Sequence, residues 1–232
     1  MLLVVFAASC GGLAEAPPNE DPTLTLPELV DLSEEAKEAG SLAALRPRAD
    51  RAQRAAERMT LRVRNISCEG IGTGSAVALL DDVLITNRHV LAGAEQLEVN
   101  TFDGRTMQVE TAEVGVLGDL GVARVDGTLP QTVTLGEPVA PGAVVSVVGY
   151  PRGGALTISR GTVVDRIEGH RLGIPGIVMR LTARVEPGNS GGPALDQEGH
   201  LVGIVYAVEV ATGFALAIPI DTLEILADVG GF

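Results

Sequence analysis

The sequence predicts an all-β protein of two six-stranded antiparallel barrels packed together, with an N-terminal helical arm and a short C-terminal helix. Three observations predict it. Apolar residues make up 46% of the 232 residues, but with no Trp, two Tyr and four Phe the core has to be assembled from Val, Leu, Ile and Ala. The 29 glycines and the recurring short Val-rich runs lean towards strands joined by turns. Those runs fall into two sets of about six, and full closure of each set leaves no exposed sheet edge.

Residues 2–8 are apolar and run into Ser9, Cys10, Gly11 and Gly12. This is too short to span a bilayer but fits the end of a secretory h-region that meets small residues. The string A-A-S-C-G resembles the lipobox of bacterial lipoproteins, which implies cleavage before Cys10 and lipidation of its thiol. Ala7 stands where Leu is usual, and no Lys or Arg precedes the run. The alternative is an ordinary signal peptide, with Cys10 lost or paired with Cys68. Residues 1–10 are therefore assigned as a signal or lipobox-like segment. Residues 11–27, rich in Pro, Glu, Asn and Asp, read as a flexible linker.

Residues 28–59 form the helical arm. Leu29, Leu32 and Ala36 fall at helical spacing before Gly40 ends the first segment. The second segment, 41–59, is Ala- and Arg-rich and expected to be interrupted at Pro47. Ala49, Ala52, Ala55, Ala56 and Met59 lie on one of its faces, and the expected role is a spacer.

From residue 60 the texture changes to strands. The first barrel, about 60–126, draws on runs at 61–66, 74–80, 83–86, 96–101, 106–114 and 121–125, with hairpin turns at Asp81-Asp82 and Asp103-Gly104. A linker-like crossing covers 127–138. The second barrel, about 139–220, draws on 144–148, 156–164, 177–182, 193–195, 201–205 and 214–218. Residues 221–229 close the chain as a helix with Asp221 as its N-cap. Cys68, alone among these strands, is expected to be a small buried hydrophobe.

A net charge of −13 argues against nucleic-acid binding, which calls for a basic face. The two cysteines and three histidines assemble no metal site by spacing, and no cofactor is expected.

The stretch V-E-P-G-N-S-G-G-P-A-L-D at 185–196 presents Ser190 between glycines on a tight turn ahead of a strand. A neutral serine hydroxyl is a weak nucleophile and needs a base, itself oriented by a third group. His170 and His200 lie in polar turns and read as solvated. His89 directly follows an apolar strand, where the scaffold would hold an imidazole rigidly, and is the candidate base. Asp119 opens an apolar strand and is the candidate orienting carboxylate; Asp103 and Asp126 read as turn acids. An α/β-hydrolase elbow would require acid and then histidine after the serine. Only 42 residues follow Ser190, with His200 the sole histidine among them.

The blocks G-T-G-S-A-V at Gly72, T-N-R-H-V at Thr86, D-L-G-V-A-R-V at Asp119 and P-G-N-S-G-G-P at Pro187 resemble those of trypsin-like serine proteases, chiefly the bacterial HtrA/DegP-like and MarP-like branch. The resemblance covers about 61–220. It implies Ser190 as nucleophile, His89 as general base and then acid, Asp119 as orienting carboxylate, and the N–H groups of Gly188 and Ser190 as oxyanion hole. It further implies a protein or peptide substrate, and the N-terminal apolar run with its lipobox-like string implies an extracytoplasmic location: cell envelope or periplasm, with membrane anchoring through a lipidated Cys10, or secretion. Arg88 replaces a small residue before the histidine, and Gly121 replaces Ala after Asp-Leu. With fourteen residues after Ile218, no PDZ domain is expected.

For the substrate pocket the resemblance offers two arrangements. Arg184 at the pocket base would suit an acidic P1 side chain. Alternatively Arg184 pairs with Glu186 or faces solvent, and Tyr206 and Val208 shape an apolar pocket for small aliphatic residues, which is the favoured arrangement. The expected function is an exported serine endopeptidase working through an acyl-enzyme; the alternative is an inactive or latent protease-like binding module.

Overall fold

Twelve strands form the framework of a computed structural model that describes residues 42–114, 119–172, 174 and 176–222. The signal-like segment with Cys10, the linker, the first arm segment and residues 223–232 lie outside the described residues. Helix α1 (Leu42–Met59) runs unbroken through Pro47. That proline is sixth in the helix, just past the four N–H groups that have no intrahelical partner, so it removes one i→i−4 bond near the start without ending the helix. Residues 42–54 belong to one compact unit, and Ala55 onward belongs with both barrels to another. Within the latter, Ala56 and Met59 are buried in the core. Thr60 Oγ1 donates to the Ala56 carbonyl at 2.7 Å, fastening the end of the helix to the first strand.

The first barrel comprises β1 (Thr60–Ser67), β2 (Gly70–Ala78), β3 (Val83–Asn87), β4 (Gln96–Asn100), β5 (Thr106–Val114) and β6 (Leu120–Val125). It closes in the order β1-β2-β3-β6-β5-β4. The second comprises β7 (Val144–Gly149), β8 (Thr157–Glu168), β9 (Ile177–Leu181), β10 (Pro193–Leu195), β11 (Leu201–Val208) and β12 (Ala215–Pro219). It closes as β10-β11-β12-β9-β8-β7, the same connectivity repeated. A four-residue helix, α2 (Arg88–Leu91), follows β3 directly.

The architecture agrees with the expected fold class, and the differences are local. β2 starts at Gly70, four residues early, because the glycine-rich Gly70–Thr73 pairs with Ser67–Arg64 of β1 through backbone alone. The crossing after β6 is no free linker. Leu129 N–H bonds Asp81 O at 2.6 Å, Val133 N–H bonds Ala78 O at 2.8 Å, and Gly136 N–H bonds Leu201 O at 2.9 Å, so the crossing is stitched to both barrels. Cys68 is exposed and free, contrary to expectation, because it falls in the β1–β2 hairpin turn and not on a core-facing strand position. The closing helical turn already includes residue 220. Asp221 therefore lies inside the turn instead of capping it, and its carboxylate pairs with Arg166.

One buried cluster crosses the seam between barrels, joining Val77, Ile85 and Leu120 of the first to Val148, Ile204 and Tyr206 of the second. Tyr206, singled out in the sequence, belongs to this cluster, and Leu120 joins it next to Asp119.

Candidate active site

β3 and β6 are neighbours in the first barrel, and the register pairs Asn87 with Leu120. His89, two residues beyond the end of one strand, and Asp119, one residue before the start of the other, are therefore brought together by the ladder itself. Asp119 is buried, at 5% exposure, and its Oδ2 is hydrogen-bonded to His89 Nδ1. Its backbone carbonyl accepts from Arg88 N–H at 2.9 Å and from Asn87 Nδ2 at 3.1 Å. The carboxylate occupies one ring nitrogen and leaves the other for chemistry: His89 Nε2 is buried with no hydrogen-bond partner.

The two departures from the family pattern have physical reasons here. Arg88 Nε lies 3.3 Å from Asp119 Oδ1, so the residue before the histidine pairs with the second oxygen of the carboxylate. A Cβ at Gly121 would lie 2.7 Å from Leu91 Cδ1 and 3.3 Å from the Glu113 carbonyl, so glycine leaves room for Leu91 of α2.

Ser190 comes from the second barrel, on the turn before β10, and is 2% exposed. Its Oγ donates to the Tyr206 carbonyl at 3.1 Å, not to His89. The Tyr206 ring meets the His89 imidazole edge to face, with centroids 5.6 Å apart, so hydroxyl and base flank the same residue. Burial, and then the negative charge of Asp119, pushes the Tyr206 phenol up from its ordinary pKa, keeping it protonated. Gly188 and Gly191 adopt φ of 99° and 86°, which glycine alone tolerates freely. Gly191 N–H is bound to Val205 O. Among the hydrogen bonds of the described residues, none uses the N–H of Gly188 or of Ser190.

Of the expected pocket residues, Tyr206 is buried against the histidine, and Val208 ends β11 opposite Ala215. Arg184 lies at the surface. Its side chain is 78% exposed and pairs with Glu186 at 3.4 Å, because a guanidinium beside a carboxylate at the surface avoids the desolvation that a buried charge would suffer. His170 is exposed and lies near Glu168, and the half-buried His200 lies near Asp196; neither is hydrogen-bonded to Ser190, whose Oγ is on Tyr206. Among the described residues no cluster of side chains suits a metal ion.

Sequence reasoning gave no role to Ser75 in β2. It is fully buried and hydrogen-bonded to Gly188, Ser190, Tyr150 and Thr86. The only signal was its place in the block G-T-G-S-A-V.

Comparison with known proteins agrees with this geometry. The putative serine protease HhoB of Synechocystis is 31% identical over 166 residues, 68% of this chain and 40% of its own. A probable periplasmic serine endoprotease, DegP-like, of Halomonas elongata is 30% identical over 166 residues, 68% of this chain and 34% of its own. The chain thus spans well under half the length of these curated relatives. The solved HtrA-type protease AlgW with tripeptide superimposes with a TM-score of 0.67 at 28% identity, covering 77% of this chain and 62% of that one. Residues 72–204, more than half of the chain, match the family described as trypsin-like peptidase domain. With two closed six-stranded barrels and this match over more than half of its length, the chain belongs to the trypsin-like peptidase family.

Proposed function

We propose that this protein is an exported serine endopeptidase that hydrolyses peptide bonds through an acyl-enzyme, its peptidase domain covering 60–232 behind the 28–59 arm. The observation that carries the reading is His89: one ring nitrogen is held by Asp119, the other is buried and unpartnered, and the ring abuts the residue that holds the Ser190 hydroxyl. In the first step Ser190 Oγ exchanges the Tyr206 carbonyl for His89 Nε2 and gives up its proton there as it bonds to the scissile carbonyl carbon. The N–H groups of Gly188 and Ser190 receive the developing oxyanion. His89 then passes the proton to the leaving amine as the C–N bond breaks. Water repeats the sequence on the ester, restoring the Ser190 hydroxyl. Asp119 stays ionised throughout, fixing the tautomer and stabilising the imidazolium. Arg184 being at the surface supports an apolar pocket shaped by Tyr206 and Val208.

A fluorophosphonate probe tests the assignment: it should label the protein, and Ser190→Ala should abolish labelling. Labelling at another residue would sink it. One observation favours the second reading, a latent protease-like module: the Ser190 hydroxyl rests on Tyr206 and not on His89. Folded wild-type protein that stays unlabelled would support latency.

Export rests on the apolar run and the A-A-S-C-G string, and on the resemblance to a relative named as periplasmic. A diacylated Cys10 would supply the two chains that stable anchoring needs. Cys10→Ala should then release the protein from the membrane fraction; unchanged fractionation counts against lipidation.

A further inference from the structure

Ser75 sits in β2 of the first barrel, yet two of its four hydrogen bonds go to the nucleophile turn of the second. Its N–H donates to the Ser190 carbonyl at 2.8 Å. Its Oγ donates to the Gly188 carbonyl at 2.7 Å and accepts from Tyr150 N–H at 2.9 Å. Its own carbonyl accepts from Thr86 Oγ1 at 2.6 Å. A fully buried serine with every polar group engaged is a built joint, since buried polar groups are retained only when satisfied.

The geometry of the joint bears on the oxyanion hole. A trans peptide is planar, so its N–H points opposite to its C=O. The Pro187 carbonyl is held by Arg152 N–H at 2.5 Å, which aims the Gly188 N–H the other way. The next carbonyl, that of Gly188, is held by Ser75. With both carbonyls tied down, neither peptide flanking Gly188 can rotate without breaking a hydrogen bond, the Ser75 one buried. The site is also tight: a Cβ on Gly188 would lie 2.5 Å from both Arg152 N and Tyr150 O. Arg152, which supplies one tie, is the only non-glycine residue at positive φ among the described residues, at 54°. Strain of that kind persists where the surroundings over-determine it.

We propose that Ser75 is a positioning residue for the oxyanion hole, its hydroxyl holding the Gly188 carbonyl so that the Gly188 N–H faces the reacting carbonyl oxygen. The inference rests on the peptidase reading above, and it adds a residue of the first barrel to the machinery of the second. Ser75 touches no reacting atom; it acts through Gly188.

The test uses the full chain, with active sites counted by fluorophosphonate titration. Ser75→Ala should lower kcat per titrated site by about 10²-fold, the effect of a misplacement on the order of 1 Å, and leave KM nearly unchanged. Affinity for a peptide boronate, which places an anionic tetrahedral oxygen in the hole, should fall in parallel. A merely structural role would lower the number of titratable sites and leave kcat per site intact. Ser75→Cys puts a somewhat larger group with a weaker donor in the same place and carries the same test if the alanine variant does not fold. Wild-type kcat per site in either folded variant overturns the proposal. So does a crystal structure of the wild-type boronate adduct in which Ser75 Oγ has left the Gly188 carbonyl, a result that requires no variant. If wild type is neither labelled nor active on peptides, the peptidase reading fails and this one falls with it; loss confined to the Ser75 variants bears on Ser75 alone.

Discussion

The two barrels share one connectivity but hold their parts of the site by different means. In the first, His89 and Asp119 stand at the ends of two paired strands, and what fixes them is side-chain chemistry: Nδ1 on Oδ2, Arg88 on Oδ1, Asn87 on the Asp119 carbonyl. In the second, Ser190 stands on a glycine turn fixed mainly by backbone bonds, with the Ser75 hydroxyl as the one side-chain tie named for it. Gly191 N–H bonds Val205 O, Gly192 N–H bonds Asn189 O, and the Ser190 and Gly188 carbonyls are taken by Ser75. Isosteric side-chain changes should therefore disable the first half with the fold intact, whereas the second half should fail by misfolding when a glycine gains a carbon.

The sharpest break in the first half is Asp119→Asn. The amide nearly matches the carboxylate in shape but can donate to Nδ1 and so favour the wrong tautomer, and it cannot stabilise an imidazolium. In a triad of this kind the change lowers kcat by about 10⁴-fold with the geometry kept. Steady-state kinetics on a peptide substrate, with a melting curve to show that the protein is folded, measure it. A folded Asp119→Asn protein with wild-type kcat would remove Asp119 from the machinery and leave the first barrel as scaffold.

In the second half the corresponding break is Gly191→Ala. The new Cβ would lie 2.0 Å from Thr86 Oγ1 and 2.1 Å from the Ser75 carbonyl, on a residue at φ 86°. Overpacking and the left-handed backbone together should remove about 3 kcal/mol or more of stability. Gly199→Ala sharpens the point: φ is 87° but nothing lies within 4 Å, so only the backbone penalty of roughly 1–2 kcal/mol applies. Urea midpoints of the two variants should differ in that order. Equal midpoints would mean that the turn yields, and that the glycines do not hold Ser190.

The same division explains what could be read before the fold was known. Strands were legible wherever Val, Ile and Leu alternate or cluster, as in Val83–Asn87 and Ala215–Pro219, and the His89 and Asp119 assignments followed because both flank such runs. The opening of β2 was not legible, since Gly70–Thr73 carries no apolar alternation and owes its strand to pairing with β1. Ser75 was not legible either. Its partners Gly188 and Tyr150 lie 113 and 75 residues away, and a serine in a strand carries no local sign of them. Cys68 was misread because a lone cysteine reads as buried, whereas its exposure depends on the hairpin register.

Away from the seam the second barrel does use side chains. Arg180 binds Asp165 through Nε at 2.7 Å and Nη2 at 2.6 Å and reaches Glu209 at 3.4 Å. These hydrogen bonds and the adjacent positive charge hold the Asp165 carboxyl below its usual range. A carboxylate depressed in the folded state adds stability that is complete above its unfolded pKa and is lost as pH falls through the folded value. Asp165→Asn should therefore be less stable than wild type at neutral pH, and the gap should close in acid. With the side chain 37% exposed, solvent screening limits the gap to about 1 kcal/mol or less. Urea midpoints at neutral and acid pH read it directly, and a gap that widened in acid would reverse the assigned sign.

The smallest effect is expected at Arg184, where the two arrangements of the substrate pocket part company. Glu186 is shared between Arg184 at 3.4 Å and Arg152 at 3.3 Å, so removing one guanidinium leaves the carboxylate a partner. Both arginines are more than three-quarters exposed, and such pairs contribute at most about 1 kcal/mol. Arg184→Ala should accordingly shift the melting curve little and leave the cleavage profile of a peptide library unchanged at P1. Selective loss of cleavage after Asp or Glu would mean that the side chain swings from Glu186 into the pocket when substrate binds. The wall of the second barrel would then depend on a mobile charge, as the proton-handling half of the first depends on a fixed one.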